Sequence, residues 1–132
     1  MSGFVFHMIG GAPHPVAPFS HAVEADGWVF VTGQLPFTDI PNTSAYAKTI
    51  EEQTHQVMKN LITVLQGVNI SLAEVVSARV FLRYFDDDYA RMNAVYANYF
   101  AEGRLPARTC IGVTGLARGA RVEIDMIARR GL

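Results

Sequence analysis

Cysteine is almost absent: Cys110 is the only one in 132 residues. That excludes a disulfide framework within the chain and fits a reducing compartment, so the expected location is the cytoplasm. Excess charge is also lacking. Lys plus Arg is 11 and Asp plus Glu is 12, a net charge of -1, which weighs against a broad footprint for nucleic acid. No apolar run approaches the ~18 residues of a membrane span. Met1 to Gly11 has no basic start followed by a long apolar run, so no secretory leader is expected. Linkers, internal repeats and low-complexity tracts are missing too, and residues 1–132 read as one domain with its own core. No metal-ligand spacing is present. Asp86-Asp87-Asp88 is the one acidic run, and no calcium-loop array continues from it.

What is present is patterned. Half of the residues are hydrophobic. Phe4–Ile9 reads as a short edge strand, with His7 satisfied or solvated, and residues 10–15 as a loop. His21–Ala25 and Trp28–Thr32 flank Asp26-Gly27, a strong hairpin signal because glycine accepts positive φ. Gly33-Gln34 ends the second arm, and residues 35–44 form an irregular loop. From about Ala45 a helix is expected, because Ile50, Thr54, Val57, Met58, Leu61, Leu65 and Val68 make one apolar stripe. Thr49–Glu52 suits a capping box; Gln53 and a solvated His55 lie off the stripe. Ser71–Glu74 is a second capping pattern. Val75–Phe85 reads as a strand with Val76, Ala78, Val80 and Leu82 inward and Ser77, Arg79, Phe81 and Arg83 outward. Asp86–Asp88 then caps a second helix. Its buried stripe is Tyr89, Met92, Asn93, Tyr96, Tyr99 and Phe100, and Glu102-Gly103 ends it. Asn93, an amide among aromatics, needs partners.

The stretch from Leu105 to Val113 carries the chemistry. Pro106 stops what precedes it. Alternation then puts Arg108, Cys110 and Gly112 on one face and Thr109, Ile111 and Val113 on the other. A cation, a thiol and a gap in a row look like a pocket floor. Two readings fit Arg108: a fork awaiting a carboxylate, or a strand-end structural ion pair. Arg121–Ala128 is the last strand, with Val122, Ile124, Met126 and Ala128 inward. If the two last strands pair through a turn near Ala117, Gly112 lies opposite Glu123 and Cys110 opposite Asp125. A carboxylate then shares the face of Arg108. The order β-β-β-α-β-α-β-β fits an α+β fold, two helices on one face of a mixed, largely antiparallel sheet.

Several pieces together resemble the Rid (YjgF) family of imine/enamine deaminases. They are Pro18-Phe19-Ser20-His21-Ala22-Val23, Val31-Thr32-Gly33-Gln34-Leu35-Pro36, Glu52-Gln53-Thr54, Asn60-Leu61, Val75-Val76, Met92-Asn93-Ala94-Val95-Tyr96, Pro106-Ala107-Arg108-Thr109-Cys110 and Val122-Glu123-Ile124. The resemblance implies a chorismate-mutase-like fold and a homotrimer with ligand sites between subunits. It implies hydrolysis of 2-imino or enamino acids to 2-oxo acids and ammonia, without metal or organic cofactor. Arg108 then binds the substrate carboxylate and Glu123 positions water. Phe19, Gly33, Gln34, Asn93 and Cys110 line the site. The family's usual tyrosine is Phe19 here, its glutamine is His21, and the loop between Pro36 and Ala45 lacks the usual turn. Alternatives are a 2-aminomuconate-type enamine deaminase, a non-catalytic acid-binding or chaperone-like trimer, and a ribonuclease, against which the acidic balance weighs.

Overall fold

Residues 3–38 and 47–131 are described by the structure, a computed structural model. Six strands and two helices follow in the expected order. They are β1 (Val5–His7), β2 (Ala22–Ala25), β3 (Trp28–Gln34), α1 (Ile50–Gly67), β4 (Val75–Leu82), α2 (Phe85–Ala97), β5 (Ala107–Gly112) and β6 (Val122–Arg129). The sheet runs β1-β2-β3-β6-β4-β5, and only the β4–β5 pair is parallel. Both helices cover one face.

The hairpin forms as its turn dictates. Asp26 and Gly27 both take positive φ, 52° and 83°, and Ala25 pairs with Trp28. In α1 the whole expected stripe is buried, and Thr49 caps the helix by accepting from the Glu52 amide. The helix starts at Ile50 rather than near Ala45. Ala45 and most of the 35–44 loop fall outside the described residues, and 47–49 are not helical. Gln53 is not off the stripe: it is buried, donating to the Ala47 carbonyl and accepting from the Arg121 amide. His55 meets the Tyr99 hydroxyl at 2.7 Å.

In β4 the inward residues are Val75, Ala78, Val80 and Leu82, while Val76 is 43% exposed. One extra residue at Val76 shifts the ladder on β6, since Val75 pairs with Ala128 but Ser77 with Ile127. The strand ends at Leu82, and α2 starts at Phe85. Asp86 to Asp88 therefore lie inside the first turn instead of capping it. Their charge still opposes the positive helix end. Asp88, wholly buried, takes a fork from Arg121, with Nη2–Oδ1 at 2.6 Å and Nε–Oδ2 at 2.9 Å. The helix stops at Ala97, so Tyr99 and Phe100 pack from the following turn.

Strands β5 and β6 do not pair. β4 lies between them, and the turn near Ala117 carries the chain across its end. Gly112 therefore faces Leu82 and Cys110 faces Val80; Glu123 faces Phe81 and Asp125 faces Arg79. The expectation that Glu123 shares the face of Arg108 fails with that pairing. A parallel partner for β5 became available because α2 returns the chain alongside β4, as a strand–helix–strand crossover does.

The C-terminal end of β6 is tied to the hairpin. Arg130 forks onto Glu24, and His7 Nε2 lies 3.4 Å from the same carboxylate. The Arg130 hydrogen bonds chiefly hold Glu24 down to about 2, against an ordinary 4.5. A carboxylate whose folded value is depressed adds stability above its unfolded value and loses it as pH falls through the folded one. Glu24→Gln is expected to lower the melting temperature by a few degrees near neutrality. The gap to wild type should close between about pH 4.5 and pH 2. Thermal melts across that range check it, and a gap that stays constant would remove Glu24 from this role.

Candidate functional site

Two groups of side chains stand out, one on each face of the sheet. The first gathers where β5 meets α2. Pro106 opens the strand and Arg108 turns inward, beside Ala78 of β4. Its Nη1 donates to Asn93 Oδ1 at 2.7 Å, and Nη2 reaches the Tyr89 hydroxyl at 3.5 Å. The guanidinium lies over the Tyr96 ring, 5.1 Å from its centroid, and 5.9 Å from that of Tyr89. Arg108 is thus the partner that Asn93, the odd polar member of an aromatic stripe, required. No carboxylate pairs with Arg108 among the described residues, whereas Arg79, Arg91, Arg121 and Arg130 each hold one. That removes the structural ion pair as a reading of Arg108 among those residues. A cation held by a neutral amide and aromatic faces keeps its fork open to an outside carboxylate.

Cys110 continues the same row and packs against the core. Burial pushes its thiol up, and the nearby Arg108 pulls weakly the other way. A thiol held protonated is a poor nucleophile. The gap at Gly112 is filled from α2: a Cβ there would stand 3.1 Å from Phe85 Cβ. Phe85 in turn stacks on Tyr89, the ring beside the arginine.

The second group lies where β3 meets β6, on the face away from the helices. β3 carries one extra residue between Val31 and Gln34, since Val31 pairs with Met126 but Gln34 with Ile124. Such bulges re-aim side chains. Here Gly33 comes beneath the Glu123 carboxylate. A Cβ on Gly33 would sit 2.1 Å from Glu123 Oε2 and 3.0 Å from Cδ. Burial, and secondarily the charge of Asp125, raise Glu123 above the ordinary carboxylate range. Phe19, Gly33, Gln34 and Leu35 line a small cavity of about 30 Å³ with Pro15, Val16 and Phe37. Gly33→Ala is expected to swing the Glu123 carboxylate off β3 while the fold persists, because the clash is with a flexible side-chain end. A crystal structure of the variant with the carboxylate unmoved would count against this.

Three polar residues named in the sequence have buried roles there that the sequence did not reveal. His21 is buried; its Nδ1 accepts from the Ile9 amide at 2.8 Å and its Nε2 donates to the Pro13 carbonyl at 2.7 Å, pinning the loop that carries Phe19. Both partners have fixed roles, so the ring is the neutral Nε2–H tautomer. Asn60 donates to the carbonyls of Leu35 and Phe37, just beyond Gly33-Gln34. Asp88 anchors Arg121 two residues before Glu123. The available signal was a polar residue at a helix position spaced for burial, as Asn60 is, three residues after Val57 and four before Val64. Among the described residues no group of three His, Cys, Asp or Glu could hold a metal ion, and no helix is long and apolar enough to cross a membrane.

Arg108 and Glu123 cannot converge within one copy. Arg108 shares the buried face with Ala78, while Glu123 shares the opposite face with Phe81. That opposite face is unusually apolar, with Phe30 and Ile111 both 47% exposed and Phe6 65%.

Comparison with known proteins places the fold. The family model described as endoribonuclease L-PSP matches residues 9–130. A RutC family protein of Pyrococcus horikoshii is 38% identical over 118 residues, covering 89% of this chain and 90% of that one. A Rid-family protein of Yersinia pestis superposes with a TM-score of 0.87 at 31% identity, over 96% of this chain and 99% of the other. TdcF of E. coli, in a structure with bound serine, has a TM-score of 0.84 at 26% identity, over 95% and 99%. With its sheet order, its two helices on one face and a match over nearly its full length, the chain belongs to the Rid/YjgF family.

Proposed function

We propose that the protein is a homotrimeric deaminase that hydrolyses 2-imino and enamino acids to 2-oxo acids and ammonia. The observation that carries this is the open fork of Arg108, held by Asn93 and two tyrosines, with no carboxylate paired to it among the described residues. An amino acid with a carboxylate, serine, is bound in the structure of the E. coli relative. The apolar sheet face supports assembly, and because Arg108 and Glu123 lie on opposite faces, the working site takes one from each of two neighbouring copies.

The chemistry follows from the groups. Arg108 holds the substrate carboxylate through two parallel charge-assisted bonds, which points the C=N carbon away from the guanidinium. Glu123 orients a water molecule and takes its proton as the oxygen attacks that carbon. The imine nitrogen, protonated from solvent before the attack, becomes the amine of a tetrahedral carbinolamine as the C=N electron pair moves onto it. Glu123 then gives the water-derived proton to that nitrogen, the C–N bond breaks with its electron pair leaving on ammonia, and the hydroxyl proton passes to Glu123 and on to solvent as the C=O bond of the 2-oxo acid forms. Enamino acids enter the same path after protonation at carbon. The C=N carbon is already electrophilic, so these steps call on no cofactor.

The test is ammonia release from 2-iminopropanoate generated in place, measured as the excess over buffer. Release at the buffer rate with pyruvate still bound would leave a non-catalytic acid-binding trimer, and salt-sensitive RNA cleavage by pure protein would point to the nuclease reading. Sedimentation at micromolar concentration checks the trimer; a monomer there would also remove the shared site.

A further inference from the structure

We propose that Arg79 and Asp125 are positioning residues that act through Glu123, their ion pair setting the pH at which the Glu123 carboxyl gives up its proton. The proposal rests on Glu123 as the proton-handling group of the reading above. The geometry is a cross-strand arrangement on one sheet face. Arg79 of β4 faces Asp125 of β6, and Phe81 faces Glu123. Three contacts of 3.0, 3.1 and 2.6 Å fix the Arg79 fork on both Asp125 oxygens. The guanidinium also lies 5.7 Å from the Phe81 ring centroid, so the cation leans along the face toward Glu123. Asp125 and Glu123 are two residues apart on one strand, which sets them roughly 7 Å apart.

Two carboxylates at that spacing repel, and the one sheltered from water suffers more. Arg79 offsets the Asp125 charge, and thereby keeps Glu123 from being held protonated where a general base must be free. Within one copy few other charges bear on Glu123; in the assembly proposed above, the neighbouring copy's Arg108 adds a cation that is the same in wild type and in every variant compared below. Arg121, just before β6, is engaged with Asp88 on the far side. Arg83, next on the β4 row, lies over the Tyr84 ring. Thr32 and Gly33 of β3 carry no charge, and burial itself adds to the upward push. Arg79 is largely exposed, while its partner Asp125 is 18% exposed. The stability value of the surface pair is small.

A unit charge at roughly 7 Å moves a titration by about 0.4 units in a water-like dielectric and about 1.7 units at an effective value near 20. The experiment is a side-chain carboxyl NMR titration of Glu123 in the intact assembly, for wild type, Arg79→Ala, Arg79→Lys and Asp125→Asn. Arg79→Ala should raise the Glu123 midpoint, Asp125→Asn should lower it, and Arg79→Lys should return most of the way to wild type. The low-pH limb of the deamination rate should move in the same directions. Midpoints that stay within 0.2 units of wild type in both charge-removing variants, or that move the same way in both, would overturn the proposal. Wild type that titrates as expected but releases no ammonia would instead overturn the deaminase reading and leave the electrostatic linkage standing.

Discussion

Arg108→Ala is expected to abolish deamination of carboxylated imines while leaving the fold and assembly intact. Each charge-assisted hydrogen bond to the substrate is worth about 1.5–3 kcal/mol. Losing the two-bond fork therefore removes about 10²- to 10⁴-fold from kcat/KM. The fold should tolerate the change because Arg108 neutralises no internal carboxylate among the described residues; its partners are an amide and aromatic rings. Asn93 loses one bond and can turn to water. Arg108→Lys should rescue poorly, because an ammonium is a point charge and cannot span both carboxylate oxygens. Steady-state rates on 2-iminopropanoate, with circular dichroism and sedimentation as controls, check this. Near wild-type turnover in either variant would remove Arg108 from its anchoring role.

Glu123→Gln is expected to cost about 10²- to 10⁴-fold in turnover, the range for loss of one general base. Binding of pyruvate should change far less. Glutamine keeps the shape and one acceptor over Gly33 but cannot take a proton. The pH profile gives a second sign. Burial and the Asp125 charge hold Glu123 protonated to higher pH than an ordinary carboxyl. Wild-type rate should therefore rise with pH through a midpoint above the usual carboxylate range, and that limb should vanish in the variant. Imines also hydrolyse unaided, so the readout is the excess over buffer. Phe19→Tyr is the companion variant, since Phe19 lines the cavity beside Gly33 and lacks a hydroxyl there. Wild-type turnover in Glu123→Gln across the pH range would hand water activation to another group.

Local rules carried most of the fold. The Asp26-Gly27 turn, the α1 stripe, the Thr49 cap and the alternation of β6 all appear where spacing and turn chemistry put them. What failed was non-local. Nothing in residues 105–128 says that a third strand will slide between the two that adjoin in sequence, and the assignment of Glu123 to the face of Arg108 fell with it. The Val76 slip was invisible for a related reason: a bulge changes which residues face inward without altering composition. The arginine could be singled out from alternation alone, but its release from ion pairing could not, since that depends on where every carboxylate ends up. His21, Asn60 and Asp88 were hidden because a buried polar side chain is recognisable only once its backbone partners are placed.

The position of β6 has a consequence for how the chain is made. It is the last described strand in sequence, yet it sits between β3 and β4 and carries the hydrogen-bonded ladder that joins β1-β2-β3 to β4-β5. Until it is made, β3 and β4 each lack the sheet partner that lies between them, and unpaired strand edges are open to aggregation. A chain stopped at Ala120 would lack that ladder together with Glu123, so incomplete products would carry the arginine half of the site on an unfinished sheet.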